Sequence, residues 1–239
     1  MGDFKKIYLD AVAAVFPEFA TVELADAFEV MAAHLSDVGK KMNLTSITDD
    51  GAVLWLHIID SLYAAKEIQK CGATLVADVG SGGGFPALPI AAALPGVKVT
   101  AIDSTAKKCA YIAECAEMMG LSNVNSLSVR AEEWGMSDGR GAYDAVCARA
   151  VASLPILAEL CAPLVRTGGH FIPMKGASAL AEEADARHAA KVLGITLEGK
   201  TEYSLPPYAD GRVIFVYRKS NETPPAYPRK YAKITKNPL

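Results

Sequence analysis

Residues 76–86 read V-A-D-V-G-S-G-G-G-F-P, and no other run constrains the fold as tightly. An apolar strand carrying an acid, Asp78, gives way to glycines at every second position: Gly80, Gly82 and Gly84. Glycine permits φ > 0 and lets a ligand reach the main chain with no Cβ in the way. Placed between a strand and a helix, such a loop forms a ligand crevice at the carboxyl edge of a parallel sheet. A tight turn with no ligand is the plainer reading, and three spaced glycines after an apolar strand speak against it.

The rest of the chain supplies such a sheet. Apolar runs alternate with helical patterns, which argues parallel strands joined by crossover helices. Strands are expected at 75–80, 97–103, 124–130, 143–149 and 168–174, and helices at 87–94, 105–119, 154–164 and 178–193. Two last strands, near 195–204 and 212–219, have only L-P-P-Y-A-D-G between them, so a hairpin is expected there. The first 70 residues read as three helices: one over 4–16, one capped by Thr21, and one over about 49–68 carrying Trp55, Leu56, Ile59 and Leu62. A polar link, K-K-M-N-L-T-S, occupies 40–46. His57, Asp60 and Ser61 fall on or beside the polar face of the third helix. This divides the chain into an N-terminal helical lobe (1–72), a Rossmann-like domain (73–220) and a C-terminal tail (221–239).

The spacing of the loop limits the ligand. A dinucleotide fingerprint needs a third glycine where Phe85 stands, so G-x-G-x-x-G fails. The pattern acid-x-G-x-G-x-G, from Asp78 through Ser81 to Gly84, instead resembles the first motif of class I methyltransferases, which bind S-adenosyl-L-methionine. That donor carries an ammonium but no pyrophosphate, so a nearby acid suits it better than a bare helix N-terminus.

Other strand ends agree. Asp103 closes the second strand about 20 residues past the loop, where an acid can accept from ribose hydroxyls. An N-cap role is its alternative, although Ser104 or Thr105 can fill that. Ala131 and Glu132 follow the third strand and should border an adenine pocket. Arg149 ends the fourth strand, where an ionised side chain must be paired or face a site. It can meet a carboxylate or phosphate of a ligand, or form a structural ion pair. Lys175 stands in the same place on the next strand.

Composition narrows the setting. At 239 residues and 51% hydrophobic, the chain can bury a full core. No apolar run approaches the ~20 residues of a membrane span, and the first 20 residues lack the layout of a signal peptide. Five cysteines show neither a C-x-x-C pair nor metal spacing. Buried reduced thiols are therefore expected, in a reducing cytoplasm and with no metal. Net charge is −3, yet residues 212–239 carry seven Lys and Arg against one acid, Glu222. A basic end on an acidic body reads either as a solvated terminus or as a surface for a polyanion.

Longer stretches make the resemblance specific. N-L-T at 43–45, H-I-I-D-S-L at 57–62, the run 78–86, A-E at 131–132, A-R-A at 148–150, K-G at 175–176, P-R-K at 228–230 and K-N-P-L at 236–239 are similar to the glucose-inhibited division protein B family. This family, also called RsmG, comprises bacterial 16S ribosomal RNA guanine-N7 methyltransferases. The resemblance implies the class I methyltransferase fold, mostly parallel with an antiparallel last strand, and S-adenosyl-L-methionine as donor, leaving S-adenosyl-L-homocysteine. It implies donor contacts at Gly80, Phe85, Ala131, Glu132 and Arg149. Ribosomal RNA or the small subunit is the implied partner, with no membrane involved. Lys175, Arg229, Lys230, Lys233 and Lys236 are the expected RNA contacts; Asn43, His57 and Asp60 are weaker candidates near the entrance. Two departures stand out: Ala87 where many relatives have glycine, and Y-A-K-I-T at 231–235 between the two tail motifs.

Guanine N7 holds an in-plane lone pair and loses no proton on attack, so no general base is expected. Positioning should carry the catalysis. N7 lies on the major-groove edge, which is deep and narrow in RNA, so the target must be a loop or an exposed base. Three other readings remain at this stage: methyl transfer to a small molecule or protein, a nucleotide-binding oxidoreductase, and a non-catalytic RNA-binding module that kept the fold, against which the intact glycine loop and Asp103 speak.

Overall fold

The computed structural model describes residues 2–42, 44, 45, 47 and 49–239. Seven strands form one sheet: β1 (Leu75–Val79), β2 (Lys98–Asp103), β3 (Val124–Ser128), β4 (Tyr143–Arg149), β5 (Val165–Lys175), β6 (Ile195–Leu205) and β7 (Ala209–Lys219). Their order is β3-β2-β1-β4-β5-β7-β6. The first five are parallel, and β7 runs antiparallel to both β5 and β6. The hairpin expected from the last two apolar runs is the β6–β7 pair, longer than read because the main chain keeps pairing up to Leu205 and Ala209.

Period-two alternation divides the sheet residues between two apolar layers. Val76, Ala145, Cys147, Ile172 and Ile214 face one layer, while Ala77, Val146, Ala148, Phe171 and Phe215 face the other. The first layer is covered by α1 (Gly2–Val15), α2 (Val22–Met42), the helix Asp50–Lys70, α5 (Ala87–Ala93) and α6 (Ala106–Met118). Asp50–Lys70 is continuous, made of α3 (Asp50–Val53), a π-helical stretch (Leu54–Ile59) and α4 (Asp60–Lys70). The second layer is covered by α8 (Leu154–Cys161) and α9 (Ala179–Leu193). The N-terminal helices thus share the core of the sheet: Tyr8, Phe28 and Ile58 belong to the same buried cluster as Val76 and Ile172.

Two short helices, α7 (Ala131–Trp134) and α10 (Tyr231–Lys236), have no counterpart in the sequence reading. Neither is long enough to show a helical period. The link read over 40–46 is shorter than expected, since α2 continues to Met42; Asn43 lies outside the described residues.

The C-terminal segment is fixed to the body rather than extended from it. Arg140 donates to three of its carbonyls, Thr223 O (2.5 Å), Tyr227 O (2.8 Å) and Pro224 O (3.3 Å). Ile234 is fully buried in the second layer. Four cysteines are buried, Cys71 is half-buried, and all five are free thiols. Burial holds the thiols of Cys147 and Cys161 well above their ordinary range.

Candidate functional site

Two cavities open side by side at the carboxyl edge of the sheet. The first is formed where β1, β2 and β3 end: Val79, Gly80, Asp103, Val129, Ala131 and Glu132 lie around it. The second is formed where β4 and β5 end, by Arg149, Met174, Lys175 and Gly176, with Leu56 and His57 facing them. The turn leaving β4 separates the two. Arg149 and Ala150 line the second cavity and Val151 the first. Ala150 adopts φ 57°, a left-handed conformation in a residue with a Cβ. Such backbone costs about 1–2 kcal/mol and is found where a site fixes the direction of a chain.

The glycine loop reaches the first cavity at Gly80. At Gly80 (φ +75°) an added Cβ would lie 2.5 Å from Val151 Cγ2. At Gly82 (φ +56°) it would meet nothing nearer than Gly80 O, at 3.8 Å, so this stretch of main chain is open to a ligand. Gly82 N donates to Asp103 Oδ2 (3.1 Å), and Thr105 N donates to Asp103 Oδ1 (2.9 Å). Asp103 therefore borders the cavity and fixes the main chain of Thr105, the residue before α6, but α6 has no side-chain cap, so the N-cap alternative for Asp103 is not what the structure shows. Ser81 is buried, and its Oγ donates to Asp78 O (3.0 Å). Gly84 packs against Leu88, leaving no room for a side chain.

Asp78 takes a different place from a ligand-lining acid. It is fully buried, and its Oδ2 accepts from Ala87 N (3.2 Å) at the start of α5. Its Oδ1 has no partner among the described protein atoms. Burial raises its carboxyl to about 6, with the Ser81 hydroxyl, the Arg149 charge and the Ala87 N–H pulling the other way.

An S-adenosyl donor fits the first cavity on these observations. Gly80 lines it with positive φ and no room for a Cβ beside Val151. Asp103 and Glu132 give the lining two carboxylates, and Ile102, Val129 and Leu160 give it an apolar strip suited to a base. Among the described residues, no group of three His, Cys, Asp or Glu side chains could hold a metal ion.

The second cavity is organised by charge. Asp60, fully buried on α4, accepts from Arg149 Nη1 (2.9 Å), Arg212 Nη2 (2.5 Å), Arg212 Nε (3.1 Å) and Tyr203 OH (2.7 Å). Tyr203 and Arg212 face one another across the β6–β7 register, which is why both reach one carboxylate. Burial alone would raise the Asp60 carboxyl; the two arginines outweigh it and hold it below its ordinary range. The π-helical stretch presents the Leu56 carbonyl to Arg149 Nη1 (2.8 Å), and such widened turns recur at functional sites.

His57 is fixed by the same arginine. Arg149 Nη2 lies 3.1 Å from His57 Nδ1, and since arginine only donates, Nδ1 accepts. That tautomer leaves Nε2–H to donate to Thr45 Oγ1 (2.9 Å). Burial first, then the Arg149 charge, lowers the imidazole to about 3, so it is neutral at physiological pH. Its ring stacks on Phe85 at 4.5 Å between centroids, and the Arg149 guanidinium carbon lies 5.4 Å from the Phe85 centroid. Phe85 thus joins the glycine loop to the second cavity. Lys175 Nζ donates to Ala152 O (2.8 Å) and pairs with Glu182 Oε2 (2.7 Å).

The sequence candidates therefore fall into three groups. Gly80, Asp103, Ala131 and Glu132 meet at the first cavity, and Arg149 and Lys175 at the second. The tail cations lie elsewhere and differ among themselves. Arg229 is bound to Glu159, which is fully buried, through N (2.9 Å), Nε (2.7 Å) and Nη2 (2.5 Å), whereas Lys230, Lys233 and Lys236 are exposed. Sequence reasoning missed Arg212, Tyr203 and Thr45 as partners in the charged cluster. A signal existed for Arg212, a cation opening the apolar run V-I-F-V-Y.

Known proteins resemble this chain in sequence and in fold. The family model "rRNA small subunit methyltransferase G" matches residues 25–204. A Staphylococcus saprophyticus protein named ribosomal RNA small subunit methyltransferase G is 39% identical over 222 residues, covering 91% of this chain and 93% of its own length. Its namesake in Listeria monocytogenes is 41% identical over 215 residues, covering 90% and 89%. Among solved structures, an O-methyltransferase from Bacillus cereus in complex with SAH superposes with a TM-score of 0.60 at 13% identity, over 91% of this chain and 99% of that one. A ribosomal protein L11 methylase from Lactobacillus delbrueckii gives 0.51 at 16% identity, over 68% and 77%. These two likenesses establish the fold: a class I methyltransferase sheet with its antiparallel β7.

Proposed function

The chain belongs to the rRNA small subunit methyltransferase G family, and from that premise we propose that it methylates N7 of a guanine in 16S ribosomal RNA with S-adenosyl-L-methionine as donor. The observation that carries this reading is the pair of adjoining cavities, one lined by Gly80 and carboxylates, the other basic, divided by the Arg149-Ala150-Val151 turn. Bound in the first cavity, the donor supplies an electrophilic methyl group on a sulfonium. Gly80, Gly82, Asp103, Ala131 and Glu132 are the residues that would hold it.

The second cavity suits the acceptor. Arg149, Arg212 and Lys175 set a cationic lining, and each is already oriented by an acid or carbonyl rather than free to swing. Preorganised groups of this kind lose little freedom when substrate arrives. His57 supports the absence of a base: it is neutral, but its Nδ1 lone pair accepts from Arg149, so it is not available to a substrate proton. Exposed Lys230, Lys233 and Lys236 would meet phosphates away from the reacting base. A cytoplasmic site of action suits this reading; no described helix is long and apolar enough to cross a membrane.

The test is incubation of the protein with methyl-labelled donor and either naked small-subunit RNA or assembled subunits, followed by mapping of the modified nucleotide. Label recovered as 7-methylguanosine supports the reading. Label on another atom, or none in either substrate, overturns it.

A further inference from the structure

The first cavity has one wall that the Rossmann-like sheet does not provide. Tyr231, the first residue of α10, lines the cavity together with residues from the strand ends. Tyr231 is 39% exposed, yet the main chain around it is pinned. Two residues earlier Arg229 is locked to buried Glu159, three residues later Ile234 is fully buried, and Arg229 Nη2 also donates to Asn237 O (3.0 Å). The exposure is therefore that of a ring held in the open at the rim of a site. Ile102, Val129 and Leu160 line the same cavity, together with the carboxylates of Asp103 and Glu132. An aromatic ring and apolar side chains together with carboxylate acceptors match a purine, whose faces are apolar and whose edge carries an amino group.

We propose that Tyr231 covers the adenine of the donor, so that the C-terminal segment is a working part of the donor site. This rests on the donor reading given above. The Arg229–Glu159 pair then acts as a positioning device for the ring. The same short helix carries exposed Lys233 and Lys236, so a segment suited to meet RNA also closes the donor cavity.

Calorimetric titration of the intact protein with S-adenosyl-L-homocysteine, and separately with adenosine, tests this. Tyr231→Ala should weaken both by the same factor, about 5- to 150-fold, the range of base–aromatic stacking. Tyr231→Phe should stay within about twofold. The melting temperature should not move, because the ring is exposed, and in turnover the donor KM should rise with kcat little changed. Wild-type affinity retained in Tyr231→Ala overturns the proposal, also where RNA binding falls, which would assign the ring to a nucleotide of the substrate. If the unaltered protein binds neither probe, the donor reading fails and takes this inference with it.

Discussion

Arg149 Nη1 and Asp60 Oδ2 stand 2.9 Å apart, although 89 positions separate them in the chain. The contact ties the end of β4 to the helix Asp50–Lys70 and fixes the guanidinium that lines the second cavity. A buried carboxylate shared by two arginines gains little over an apolar replacement of the whole cluster, but removing one partner leaves charge unbalanced.

Asp60→Ala should accordingly cost about 3–5 kcal/mol, read by chemical denaturation at neutral pH. The pH dependence has a defined sign. Because the folded carboxyl sits below its ordinary value, its contribution is complete above the unfolded pKa of about 3.9 and is lost as pH falls through the folded value. Wild-type and variant stabilities should therefore converge only in acid. A gap of constant size down to pH 2 would contradict the ion-pair account.

Asp78 behaves in the opposite sense. Its carboxyl is raised to about 6 by burial, so the folded state favours the protonated form, and that contribution fades as pH climbs through 6. Asp78→Asn keeps an oxygen for Ala87 N–H and removes the buried charge. It should stabilise the protein by about 1–3 kcal/mol at pH 8, with little gain at pH 4. Equal melting temperatures for the two proteins at pH 8 would count against a buried, charged carboxylate.

Gly80 and Gly82 should separate strain from collision. Both have positive φ, but only Gly80 faces a side chain within 3 Å. Gly82→Ala should cost about 1 kcal/mol of backbone strain; Gly80→Ala should cost about 1–3 kcal/mol more through displacement of Val151. The ordering of their unfolding midpoints checks it, and a larger loss at Gly82 would refute the packing described here.

The basic residues of the tail should divide in the same way. Arg229→Ala leaves Glu159 buried without its partner, at about 3–5 kcal/mol. Replacing Lys230, Lys233 and Lys236 together by Gln should leave stability within about 0.5 kcal/mol, as for other surface changes. RNA binding, followed across a salt series, should lose about two units of the slope of log K against log salt. An unchanged slope would remove these lysines from the RNA surface.

What could be read from the chain alone was whatever is encoded locally. The loop over 78–86 announced itself because positive φ at Gly80 and Gly82 is a property of single residues. The strands were legible as apolar runs because a sheet covered on both faces needs them. The family followed from the same short motifs, and the sequence comparisons agree.

The tertiary structure decided which groups meet. Asp60 looked like part of a polar helix face, and only the packing of that helix on the sheet buries it against Arg149, Arg212 and Tyr203. Arg229 and Lys230 are adjacent cations in sequence, yet one is locked to Glu159 and the other is exposed. Tyr231 gained its place at the first cavity because Arg140 and Glu159 hold the segment after β7 to the body. Local propensity acts over a few residues, whereas a buried charge finds its partner through strand order and register, which no short window of sequence contains.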